Sequence, residues 1–99
     1  MVNWFRTYNA QIGKMDELVK LSKQAVKHLK KKHGLDCELY AQVGGDPTRV
    51  GLVGRYKNMG AIGKLENRIS KDTKWAAIMK SARSLVVEGS VQDSFWKEL

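Results

Sequence analysis

Ninety-nine residues, 42% apolar and 28% charged, suit a single folded domain spanning 1–99 and exclude a disordered chain. The net charge is +8, and residues 1–34 hold eight Lys/Arg against two acids, so the excess sits mainly on the opening segment; this permits an anionic partner without requiring one. No apolar run approaches the ~20 residues that span a bilayer, "MVNWFRTYNAQ" lacks the basic start and apolar core of a signal peptide, and the single Cys37 allows no internal disulfide, so a cytoplasmic, non-membrane protein is expected.

Residues 2–10 read as a strand that alternates Trp4, Arg6 and Tyr8 with Asn3, Phe5 and Thr7. Gly13 breaks the pattern, and from Lys14 to His33 the period is helical. Met15, Leu18, Val19, Leu21, Ser22, Ala25, Val26 and Leu29 share an arc of roughly 160° at ~100° per residue. Lys20, Lys23, Lys27, Lys30 and Lys31 lie on the opposite arc, and Gly34 is a natural helix stop. Residues 37–43 alternate Cys37, Leu39, Ala41 and Val43 against Glu38, Tyr40 and Gln42. A "GGDPT" turn leads into a further strand at 49–56. Helical periodicity returns in Ile62, Leu65 and Ile69, and again in Trp75, Ile78, Met79 and Ala82. Ser70 or Asp72 can cap a new turn between them, which predicts a break near 70–74. "SVQDSFWKEL" alternates Val91, Phe95 and Leu99 with Gln92, Ser94 and Trp96 and predicts a last strand.

The order β-α-β-β-α-β with right-handed crossovers predicts a ferredoxin-like α+β fold: a four-stranded antiparallel sheet with two helices on one face. Both parities of each strand carry large apolar or aromatic groups, so water does not suit the uncovered face. A homodimer through the sheet faces is therefore expected.

The chain resembles the dimeric α/β-barrel proteins, a group that includes antibiotic-biosynthesis monooxygenases and NIPSNAP-like domains. The resemblance rests on an aromatic first strand with Tyr8, Gly13-Lys14 before the first helix and the "GGDPTRVGLVGRY" hairpin. A second helix with a polar step before Trp75 and the closing "GSVQDSFWKEL" complete it. It implies a pocket between sheet and helices, where relatives include cofactor-free oxygenases, haem-degrading enzymes and isomerases. The haem-degrading relatives need a histidine on the second helix. Trp75 corresponds to their tryptophan, but no histidine follows His33, so no haem, and no other cofactor, is expected.

Trp4, Arg6, Tyr8, Tyr40, Arg55, Trp75 and Met79 are the residues expected to line a ligand pocket. An Arg beside aromatic rings can hold a carboxylate or enolate and stack on a planar ligand. His28 and His33 lie five apart rather than four, with no third ligand in view, and read as surface histidines without a metal. The lysine arc holds no aromatic for base stacking, which argues against nucleic-acid readout and for a solvated helix face. "GAIGKLENRISKDT" matches the spacing of a KH-type G-x-x-G loop, with Gly60, Gly63 and Lys64, but Ala61 and Ile62 between the glycines do not favour phosphate. Two functions stay open. One is a small-molecule binder or cofactor-free enzyme; the other is a non-catalytic module that grips RNA or an acidic partner through the lysine arc or a Gly60–Lys64 loop.

Overall fold

The alternating and helical patterns become β1 (Val2–Asn9), α1 (Met15–His33), β2 (Cys37–Ala41), β3 (Arg49–Tyr56), α2 (Met59–Ile69), α3 (Thr73–Ala82) and β4 (Gln92–Lys97). They are seen in a computed structural model that describes residues 1–99. The strands form one sheet in the order β2-β3-β1-β4, each neighbouring pair antiparallel. This is the ferredoxin-like α+β fold expected from the sequence, with its second helix divided in two. β2 stops at Ala41, two residues short of the expected end, and Val43 is fully exposed in the loop.

Local chemistry sets the helix ends. Gly34 closes α1 in the left-handed region, φ 68°, and its N–H donates to the Leu29 and Lys30 carbonyls. Asp16 and Glu17 in the first turn and Lys30–His33 in the last complement the helix dipole. Asn58 caps α2 by accepting from the Ala61 N–H at 2.9 Å. Asp72 caps α3 by accepting from the Trp75 N–H at 3.0 Å, within the expected break. One expectation is corrected here. Gly60–Lys64 is not a loop but the opening of α2; the Asn58 cap lets the helix start before the glycines, so both lie in helical backbone rather than in a G-x-x-G loop.

Val2, Trp4, Arg6 and Tyr8 of β1 share the helix-covered face with Val50, Leu52, Gly54 and Tyr56 of β3. One core cluster joins Val2, Trp4, Leu29, Leu35, Leu52, Tyr56, Ile62 and Leu65. A second joins Tyr8, Ala10, Leu18, Val50 and Leu85. Gly54 is needed for close packing: a Cβ there would lie 2.9 Å from Cε3 of Trp4. Phe5, Val53, Tyr40 and Trp96 project from the other face, which no helix covers. No helix is long and apolar enough to cross a membrane.

Candidate functional site

β1 brings Arg6 and Tyr8 under α1 and α3, and a cavity of about 80 Å³ opens between them. Leu18, Leu21, Ser22 and Ala25 of α1 form one wall. Trp75, Ile78, Met79 and Ala82 of α3 form the other, with Leu52, Val86 and Val91 completing the lining. By that volume it holds a handful of waters or one small ring, not a polycyclic ligand. A second hollow of about 130 Å³ adjoins it and shares Arg6 and Trp75. Trp4, Glu66 and Asp93 line that hollow.

Arg6 is the polar centre of this trough. Its Nε donates to Asp93 Oδ1 at 2.7 Å and an Nη to Asp93 Oδ2 at 2.9 Å. The register makes the pairing, since Arg6 faces Asp93 across β1 and β4. Trp4 adds an Nε1–H bond to the same Asp93 Oδ1 at 3.1 Å, and the Arg6 guanidinium lies 5.1 Å from the Trp4 ring centroid. Arg6 holds the Asp93 carboxyl below its ordinary range against partial burial, with help from Trp4. Tyr8 shares a 2.6 Å hydrogen bond with Ser22. Burial pushes its phenol up, and Ser22 and Arg6 offset that only in part, so it stays protonated at neutral pH.

With this geometry in place, the NIPSNAP family model matches residues 3–96. The chain belongs to the NIPSNAP family. Its fold is similar to that of an uncharacterised NIPSNAP domain protein from Burkholderia xenovorans, at 17% identity and a TM-score of 0.85, over 100% of this chain and 95% of that one. A NIPSNAP family protein from Agrobacterium tumefaciens str. C58 matches at 18% identity and 0.83, over 99% and 92%. A Deinococcus radiodurans protein assigned as an antibiotic biosynthesis monooxygenase matches at 13% and 0.78, over 100% and 93%. No curated protein matches the chain. At these identities the structures share the fold.

Not all the residues expected at the pocket of this NIPSNAP domain meet there. Arg6, Tyr8, Trp75 and Met79 surround the smaller cavity, and Trp4 stands in the adjoining hollow. Tyr40 and Arg55 lie on the uncovered face, where both bond to Glu38. Strand parity is the reason: Tyr40 is opposite Gly51, itself opposite Thr7, and Arg55 is opposite Asn3, all at register positions of that face. Leu18, Leu21, Ser22 and Ile78 were not expected as lining; all are apolar-face helix positions that read equally well as core.

The histidines also depart from expectation. His28 and His33 are not surface groups; their side chains are 7% and 4% exposed. Each places Nε2 at 2.7 Å from the same Asp72 Oδ2. Asp72 is 44 residues from His28, so no local spacing announces it. Burial alone would raise the Asp72 carboxyl, but the Trp75 N–H and the two imidazoles hold it well below the usual carboxylate range. Of the lysine arc, Lys30 pairs with Asp36 at 2.6 Å; Lys20, Lys23, Lys27 and Lys31 line the outer side of α1. Cys37 is half-buried, and burial with nearby Asp36 pushes its thiol up to about 12, which leaves it an inert thiol.

Proposed function

We propose that this NIPSNAP protein is a cytoplasmic homodimer that holds a small aromatic or enolic ligand between sheet and helices. The observation that carries the reading is Arg6, the one charged side chain in the wall of a cavity lined mainly by apolar groups. Two of its N–H donors are taken by Asp93, and the others are left for a ligand oxygen. Asp93 already balances the guanidinium charge, so a carbonyl or enol oxygen suits the site better than a full carboxylate. Trp75 and the aliphatic wall suit the ring.

Cofactor-free oxygenation of an enol, as the likeness to an assigned monooxygenase suggests, needs a base to deprotonate the substrate. The smaller cavity's lining contains no carboxylate and no imidazole, and its Tyr8 phenol is pushed up and bonded to Ser22. That favours holding a ligand over transforming it. Calorimetric titration with monocyclic phenols and 1,3-dicarbonyl enols tests the reading. The expected result is one site per chain, with affinity at least tenfold weaker in Arg6→Met and unchanged in Arg55→Met. No binding by folded protein, or binding indifferent to Arg6, would reject it.

The dimer is supported by the uncovered sheet face, where Tyr40 is 52% and Trp96 63% exposed. The small domain also gains stability from pairing.

A further inference from the structure

We infer that His28, His33 and Asp72 form a binding site for a divalent transition ion of the zinc class. The site is separate from the Arg6 cavity and independent of its ligand. Two imidazole nitrogens and one carboxylate oxygen converge, all within 4.8 Å of one another. This donor set suits zinc and its neighbours rather than magnesium or calcium, which prefer all-oxygen shells. All three side chains are more than nine-tenths buried.

The carboxylate is divided in the manner of a metal ligand. Oδ2 faces both imidazoles, while Oδ1 is fixed by the Trp75 N–H. Outer-shell bonds of this kind orient ligands for an ion. The rings stand edge to face at 88° with centroids 6.0 Å apart, so their Nε2 atoms approach one oxygen from different directions. A tetrahedral ion at ~2.0–2.2 Å from each donor needs neighbouring donors about 3.3–3.6 Å apart, so each imidazole draws back from the carboxylate by roughly 0.6–0.9 Å from the present 2.7 Å. Each imidazole would carry its proton on Nδ1 and offer Nε2 to the ion. Lys32 Nζ, 4.0 Å from Asp72 Oδ1, is the one nearby cation of the cluster, and its side chain is 56% exposed, so it can swing into water. Three protein donors leave a position for water, and the ion would pin the last two turns of α1 to the N-cap of α3.

Tag-free protein stripped with a chelator is titrated with Co²⁺ and then Zn²⁺. The expected result is one Co²⁺ per chain with visible ligand-field absorption, displaced by Zn²⁺, and a Tm raised by more than about 5 °C at saturating zinc. His33→Gln keeps a donor for Asp72, and Asp72→Asn keeps the α3 cap; both should weaken Co²⁺ binding at least tenfold with unchanged far-UV circular dichroism. If either variant fails to fold, ¹⁵N shifts of the His28 and His33 side chains in the wild type give the second reading, and they should move on zinc addition. Folded wild-type protein with no absorption, no Tm shift and no histidine shift would show a purely hydrogen-bonded cluster and overturn the proposal. A signal that persists unchanged in both folded variants would overturn it equally.

Discussion

Arg6 and Asp93 show how one pair of side chains joins stability to the site. The pair is partly exposed, 26% and 37% for the two side chains, so solvent screening limits its worth to about 0.5–1 kcal/mol. Asp93→Asn should cost about that at pH 7 in urea unfolding. The folded carboxyl lies below its ordinary value, so the unfolded chain takes up the proton first as the pH falls. The contribution is therefore whole above the unfolded value of about 3.9 and lost as pH falls through the lower folded value. The gap between wild type and Asp93→Asn should shrink below about pH 4; a gap that stays constant to pH 2 would refute the pairing. At this scale the sequence was half legible. Arg6 and Tyr8 share a parity with Trp4 and declare the pocket side. Tyr40 and Arg55 sit in strands whose alternation already turned them away, but shared residue type grouped them with the pocket. The burial of His28 and His33 was not legible, because Asp72 supplies it across a distance that helix periodicity cannot see.

Among the elements, the Gly34 stop of α1 and the break at Asp72 followed from a stop and a cap that act within four residues, which is why they were readable; the Asn58 cap of α2 and the end of α3 at Ala82 were not read. Asn58→Ala should cost about 1 kcal/mol by removing the α2 cap, measured by urea unfolding. Two glycines make a sharper comparison, because they look alike in sequence and differ in surroundings. Gly63 lies in α2 with open space where a Cβ would stand, so Gly63→Ala should stabilise by roughly 1 kcal/mol through helix propensity. Gly54 sits in β3 against Trp4, Cys37 and Leu35, so Gly54→Ala should destabilise by about 1–3 kcal/mol through overpacking. Thermal melts of the two variants should shift in opposite directions; shifts of the same sign would mean that the Trp4 contact does not constrain the sheet. No local pattern separates the two glycines, since the difference is made by Trp4, far away along the chain on the neighbouring strand.

For the whole molecule, the helices cover one face of the sheet and leave Phe5, Tyr40, Val53 and Trp96 on the other. An exposed patch of this kind on a small domain is better buried against a second copy than left in water. Trp96→Glu places a charge on that face and should shift the protein toward monomer, while Lys23→Glu on the solvent arc of α1 should not; light scattering after size exclusion distinguishes them. Native mass spectrometry of the tag-free protein with a monocyclic enol tests the proposed dimer and its ligand together. The expected mass is that of two chains carrying up to two ligands, with the adduct lost and the dimer kept in Arg6→Met. A single-chain mass, or a dimer that takes up no ligand from any of the enols and phenols, would contradict the proposed function.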